Sequence, residues 1–426
     1  MMQGIHWESA PDDVISRFLI FAQAYPYVAV LQTHQEGEDI YGRYDFLAGF
    51  AGNNADIIQD PEEVKQHNRG MLLGAVSYPA LQDTEPIGTE LKPDAIALPH
   101  FRFFAPEGYI LKYSDSSEVW VYSAQPQAWI DALNSIQSET LQASVEVLSP
   151  AVSGLSKQAY LQGIQTLQQH ILDGDVYEAN LCRNIRLQAK VTAPGLLFPQ
   201  WLQWSQVPFA AYVRMQEVYI YSASPERFLA FREGQCISQP IKGTAPRNAD
   251  PTKDKALAEA LLNSEKDRAE NLMIVDLVRN DLNRTCKPGS VIVSELCGLH
   301  SFPLVHHLIS TISGELKPEY PPFEAFLRAF PPGSMTGAPK VRAMQIMNEL
   351  EPEGRGIFAG AIGYIEDTKH FDFNVVIRTL VYDANQQIMS YHTGGAITID
   401  SNPEEEYAET QAKAMGLFRF LGIEPI

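Results

Sequence analysis

The chain has 426 residues, 45% of them hydrophobic and 20% charged, enough to bury a large core and unlike a disordered or membrane protein. Its formal charge of −20 argues against nucleic acid as a partner, because phosphate binding is driven by clustered Lys and Arg. Cys182, Cys236, Cys286 and Cys297 show no CxxC spacing, which fits thiols in a reducing cytoplasm and argues against a zinc site or a disulfide scaffold.

The N-terminus lacks a basic n-region, and the apolar run over 18–31 is short and broken by Pro26, so neither a signal peptide nor a membrane span is expected. Residues 1–150 alternate short apolar runs, at 27–32, 71–78, 109–113 and 119–123, with turn signals. This part reads as a strand-rich subdomain in which 37–39 and 82–86 are loops. A polar run over 137–144, followed by 149–156, marks a boundary near 150, and 151–426 forms the second part. Ser156 reads as the N-cap of a helix with Tyr160, Ile164, Leu167 and Ile171 on one face, ended by Gly174. The chain then enters a strand through Tyr177-Glu178-Ala179-Asn180-Leu181, carrying polar groups into a half-buried element.

Segments 219–222 and 227–231 read as strands, Glu233-Gly234 as a turn and 236–241 as the returning strand. A loop centred on Gly234 sets Glu226 opposite Lys242, either as an exposed cross-strand ion pair or as a functional pair. Lys242 stands between Pro240, which fixes φ, and Gly243, which lets another group approach the backbone. Ser264 caps the next helix, where Glu270 shares a face with Ile274 and Leu277. That carboxylate marks either the edge of the apolar stripe or a ligand. The run Phe330-Pro331-Pro332-Gly333-Ser334-Met335-Thr336-Gly337-Ala338-Pro339-Lys340 is a loop entering a helix, where backbone N–H groups are free to receive an anion. It lacks the residue order of a nucleotide P-loop.

Segments 373–382 and 388–393 form a second hairpin pattern, with Arg378 inside its first strand, where a buried arginine calls for a carboxylate to hold. Gly394 and Gly395 permit close backbone approach. The last helix begins near Asn402-Pro403 and lines Glu406, Glu409 and Lys413 along one face, while Glu404 and Glu405 read as partners of the helix dipole.

Ser224-Pro225-Glu226-Arg227-Phe228, Pro240-Ile241-Lys242-Gly243-Thr244, Arg268-Ala269-Glu270-Asn271-Leu272, Val305-His306-His307-Leu308, the Gly333 to Lys340 segment and Glu406-Tyr407-Ala408-Glu409-Thr410 occur in one order. Together they resemble the chorismate-utilising family, which includes the large subunits of anthranilate and aminodeoxychorismate synthases, isochorismate synthases and salicylate synthases. The resemblance implies an α/β fold of the α+β type, like anthranilate synthase component I, in which antiparallel sheets form a sandwich-like core with helices outside. Both halves of the chain then contribute to one body. The Leu-Leu-Glu-Ser signature of tryptophan-regulated relatives is absent, so feedback by tryptophan is not expected.

The same resemblance implies roles. Relatives that make anthranilate or isochorismate typically carry alanine where this chain has Lys242; lysine is similar to the relatives that add ammonia to chorismate at C4. There it acts as a nucleophile, and desolvation is expected to lower its pKa. Glu226 is the implied general acid; Glu270, Glu406 and Glu409 are implied Mg²⁺ ligands; Arg378, Tyr364, Lys413 and the amides near Gly394 and Gly395 are implied to hold chorismate. His307, Thr336 and Thr244 are implied to line the pocket. Glu178 stands where amine-adding relatives usually carry glutamine. Ammonia is implied to come from a separate glutamine amidotransferase subunit, with no nucleic acid or membrane involved. The alternatives are an anthranilate synthase component I and a noncatalytic anion-binding protein.

Overall fold

Residues 2–33, 39–67, 70–85, 87–137, 141–203, 206–367 and 369–426 are described by the computed structural model. The loop positions 37, 38 and 86 and the boundary positions 138–140 lie outside them. Strands form where apolar alternation predicts: Tyr27–Gln32, Met71–Val76, Gly108–Tyr113 and Val119–Ser123. The run over 71–78 ends early because Ser77 leads into a turn of 3-10 helix at Tyr78–Ala80.

The strands build two sheets, and every strand pair among the described residues is antiparallel. In the larger, Gln3–Trp7, Val119–Ser123, Gly108–Tyr113, Tyr44–Ala51 and Tyr27–Gln32 continue into Phe209–Met215, Val218–Ser224, Thr379–Asp383, Ile388–Ile397 and Glu178–Thr192. In the other, Ile241–Pro246, Val305–Glu315, Gln235–Gln239, Arg227–Arg232, His370–Val375 and Ala361–Glu366 continue into Met71–Val76 and Phe101–Phe104. Strands from either side of residue 150 thus pair within both sheets.

One apolar cluster joins the facing sides of the sheets through Leu47, Leu73, Phe104, Val213, Ile220, Ile362 and Val381. The outer sides are covered by helices. Glu265–Asn283 and Pro322–Ala329 cover one through Ile274, Val275, Val278 and Phe326, and Pro403–Leu421 covers part of the other through Ala414, Leu417 and Phe418. Each of the larger of these side chains contributes roughly 1.5–3 kcal/mol on full burial, which pins the helices that carry functional groups. The expected sandwich-like core with helices outside is what the chain forms.

Two of the chain's crossings between sheets lie side by side. Val218–Ser224 leaves the larger sheet and re-enters the smaller as Arg227–Arg232, whereas His370–Val375 leaves the smaller and returns as Thr379–Asp383. The crossovers are bonded together: Val375 N–H donates to Glu226 O at 3.0 Å, and Ala223 N–H donates to Arg378 O at 3.1 Å. Arg378 is therefore not inside a strand, as the sequence pattern suggests. It occupies the break between two strands with φ 50°, a conformation that costs a non-glycine residue roughly 1–3 kcal/mol.

Candidate active site

Glu226 lies in the first crossover and is 4% exposed. Its carboxylate accepts from Ile241 N–H and the Ser334 side chain, yet burial outweighs these bonds and raises its pKa to about 7. The group is thus poised to give or take a proton near neutrality.

The hairpin turning at Glu233-Gly234 forms, with φ 53° and 83° at these residues. Its register, however, shifts at a bulge between Arg227 and Ala230, so that Arg227 faces Gln239. Pro240 then breaks the ladder, and Lys242 lies on the separate strand Ile241–Pro246, paired to Val305–Glu315. Glu226 and Lys242 are therefore not ladder partners. They still interact electrostatically across the site.

The direct partner of Lys242 is Glu178, the first residue of the long Glu178–Thr192 strand. Lys242 Nζ donates to Glu178 Oε1 at 2.7 Å, and the other oxygen, Oε2, is buried without a partner. Burial lowers the Lys242 pKa, as expected, but Glu178, Glu270 and Glu226 together outweigh it and leave the pKa raised. The expectation of a lowered value considered desolvation alone. Three surrounding carboxylates reverse the sign.

Gly243 adopts φ +86° against the first turn of Glu265–Asn283, where a Cβ would stand 3.0 Å from that of Asp267. This close approach brings Glu270, one turn further on, into the field of Lys242. Burial raises the Glu270 pKa to about 7, Lys242 opposes the rise, and Glu178 adds to it. Ser264 fixes the start of that helix by accepting from Asp267 N–H.

Glu406 and Glu409 enter from Pro403–Leu421, capped by Asn402. Ser401 Oγ donates to Glu406 Oε1 at 2.8 Å. Burial raises the Glu406 pKa; it pushes the same way at Glu409, where Lys413 at 2.6 Å reverses the result. Lys413 also donates to Gly394 O at 2.8 Å. A Cβ on Gly394 would meet Leu181 O at 2.5 Å, and one on Gly395 would meet Glu406 Oε2 at 3.2 Å, so both glycines serve close approach.

The segment 333–338 runs beside Glu178: Ala338 pairs with Glu178, and Asn180 N–H donates to Thr336 O at 2.9 Å. The Thr336 hydroxyl itself turns back to Gly333 O. His307 is buried, contacts Thr244 Oγ1 through Nδ1 at 2.9 Å, and leaves Nε2 unpartnered. Burial and the Arg378 charge drive its pKa down to about 3, so the ring is neutral.

Arg378 lies within the electrostatic reach of Glu226 and His307. Among the described residues it has no ion-pair partner, contrary to the expected held carboxylate. Its guanidinium is free for an anionic ligand. Tyr364 departs further from expectation. It lies on Ala361–Glu366 and points between the sheets, its ring 5.1 Å from that of Tyr44, where it lines a cavity of about 60 Å³ with Arg43 and Asp372. The period-two alternation of its strand turns it away from the Lys242 group.

Three contributors, Ser334, Ser401 and Lys266, carry no role in the residue pattern. Ser334 lies inside the Gly333 to Lys340 segment, where nothing local marks its hydroxyl as a partner of Glu226. Ser401 has no local signal, whereas Lys266 stands four residues before Glu270, a legible helical spacing. No three described His, Cys, Asp or Glu side chains form a ready-made metal shell. Instead Lys266 Nζ lies 3.9 Å from Glu270 Oε1 and 3.7 Å from Glu406 Oε1, so one cation already joins carboxylates of two helices.

Among the described residues, no helix is long and apolar enough to cross a membrane. The sequence model of the chorismate binding enzyme family matches residues 19–419. Aminodeoxychorismate synthase component 1 of Klebsiella aerogenes is 41% identical over 66% of this chain and 61% of its own length. Anthranilate synthase component 1 of Saccharolobus solfataricus is 33% identical over 83% of this chain and 81% of its own. The chain spans less than two thirds of the length of the aminodeoxychorismate synthases it matches, 42% for that of Streptomyces griseus. The crystal structure of anthranilate synthase component I from Streptococcus pneumoniae superposes with a TM-score of 0.73 at 26% identity, covering 92% of this chain and 90% of that one. The matched residues include every segment that carries the Lys242 group: the chain belongs to the family of chorismate-binding enzymes.

Proposed function

We propose that this chain aminates chorismate at C4, forming 4-amino-4-deoxychorismate for 4-aminobenzoate synthesis. The observation that carries the reading is Lys242, a buried primary amine surrounded by Glu226, Glu178 and Glu270 in a chain of the chorismate binding enzyme family. Relatives named aminodeoxychorismate synthase, about 40% identical, support the same choice.

The steps balance. Lys242 loses its ammonium proton to solvent, and its amine attacks C2. Both ring double bonds shift, the C4–O bond breaks, and protonated Glu226 gives its proton to the departing hydroxide, releasing water. Ammonia then attacks C4, both double bonds return, and the C2–N bond to Lys242 breaks. The new ammonium at C4 returns a proton to Glu226. Arg378 faces an anionic group of the substrate, and neutral His307 with its open Nε2 borders the same space.

Glu270, Glu406 and Glu409 fit Mg²⁺: they supply hard oxygen donors from two helices, two of them, Glu270 and Glu406, already share the ammonium of Lys266, and Gly395 leaves the side near Glu406 Oε2 open. A bound Mg²⁺ would anchor the ring carboxylate and offset the negative field of the site. We assign the supply of ammonia to a glutamine amidotransferase subunit, consistent with relatives named component 1. The four free, buried cysteines agree with a cytoplasmic setting.

The test is mass spectrometry of products from chorismate, Mg²⁺ and ammonium. A 4-amino product confirms the reading, whereas anthranilate or unchanged chorismate overturns it. Glutamine in place of ammonium is expected to support turnover only when the partner subunit is added.

A further inference from the structure

Lys266 is an unusual neighbour for the carboxylates of Glu270 and Glu406. It precedes Glu270 by four residues, and lysine before glutamate is the weaker order for a helical ion pair. Its side chain is 60% exposed, so holding it in place costs rotamer freedom in return for little surface electrostatic gain. The helix alone does not account for its position.

The opposing helix does. Lys266 reaches Glu270 and Glu406 at 3.9 and 3.7 Å, and Glu406 is only 4% exposed. Glu409 stands one turn beyond Glu406 and is already engaged by Lys413. The two contacts of Lys266 are longer than the roughly 2.7–2.9 Å of a charge-assisted hydrogen bond, so the ammonium lies between the carboxylates without being tightly bound to either. A four-carbon stem rooted at the helix surface lets it withdraw into solvent while the backbone stays in place.

We propose that Lys266 is a placeholder for the divalent cation: its ammonium occupies the position between Glu270 and Glu406 in the metal-free chain and leaves it when the metal binds. The inference rests on the reading of Glu270, Glu406 and Glu409 as a cation site. Magnesium draws carboxylate oxygens to about 2.0–2.1 Å, which leaves no room for an ammonium between the same two groups. The placeholder has two consequences. It offsets carboxylate repulsion between the two helices before the metal arrives, and it makes every metal ion compete with a tethered cation.

The test uses the full chain without chorismate. Free and bound Mn²⁺ are measured by electron paramagnetic resonance for the wild type, Lys266→Met and Lys266→Arg. In parallel, acetic anhydride labelling of wild-type lysines is followed by peptide mass with and without Mg²⁺. Lys266→Met should bind Mn²⁺ about fivefold more tightly, the scale of one exposed charge pair, while Lys266→Arg should stay near wild type. Magnesium should speed labelling of Lys266 and leave that of Lys255, 79% exposed on another helix, unchanged. Equal Mn²⁺ affinity in Lys266→Met and wild type, or Lys266 labelling indifferent to Mg²⁺, overturns the placeholder and leaves the cation site standing. Absence of Mn²⁺ binding to all three proteins overturns the cation site itself, and the placeholder with it.

Discussion

Lys242 Nζ and Glu178 Oε1 are 2.7 Å apart, with their side chains only 10% and 2% exposed. This buried pair fixes the resting charge of the candidate nucleophile. Burial opposes the ammonium, but Glu178, Glu270 and Glu226 favour it by more, so the resting lysine is protonated. Glutamine at 178 keeps the shape and removes one of those charges. Glu178→Gln should therefore lower the Lys242 pKa and move the onset of its labelling by amine reagents to lower pH, read by peptide mass. An onset at the same pH in both proteins would contradict the pairing.

Glu226 supplies the opposite requirement. Its pKa of about 7 means that it is an acid below that pH and a carboxylate above it. Amination needs neutral Lys242 and protonated Glu226. The rate should rise with pH up to about 7 as Lys242 loses protons, then level off, because each further gain in neutral lysine is offset by loss of protonated Glu226. It should fall only beyond the raised pKa of Lys242. Glu226→Gln should cost about 10²–10⁴-fold in rate with chorismate affinity retained. A steady rise through neutrality would remove Glu226 as the acid.

Metal dependence should carry its own pH signature. Glu270 has a pKa of about 7 in the metal-free chain, set first by burial. Because a cation binds the carboxylate form, apparent Mn²⁺ affinity should strengthen as pH rises through about 7. Glu270→Gln, Glu406→Gln and Glu409→Gln should each raise the Mg²⁺ requirement. Full turnover in excess EDTA would rule out the cation site.

Much of this site could be read from residue order, and the failures have physical causes. Caps at Ser156, Ser264 and Asn402 are local chemistry, so the helices they start were legible. The Glu226–Lys242 register was not, because a bulge and Pro240 changed the count between them. Arg378 looked like a strand residue since its neighbours are apolar; the crossing between sheets that isolates it is a tertiary event. Tyr364 was carried by resemblance alone, and strand alternation turned it into the space between the sheets. The sign of the Lys242 shift needed Glu178 and Glu270, which are remote in sequence and converge only in the fold.

Gly243 offers a test of how the site is held together, with Gly234 as its control. Both adopt positive φ, +86° and +83°, so alanine at either should cost roughly 1–2 kcal/mol of backbone strain. Their surroundings differ. A Cβ at Gly234 meets nothing within 4 Å, whereas one at Gly243 meets Asp267 Cβ at 3.0 Å, Asp267 Oδ1 at 3.1 Å and Leu261 Cδ1 at 3.1 Å. Relief at Gly243 must push the first turn of Glu265–Asn283 away from the strand, and Glu270 moves with it. Denaturant unfolding should thus show two losses of similar size, or a slightly larger one for Gly243→Ala. Amination should fall sharply in Gly243→Ala alone, accompanied by weaker Mn²⁺ binding. Equal activity in the two variants would mean that the helix and the Lys242 strand are positioned independently, and that the close approach at Gly243 does not set the geometry of the site.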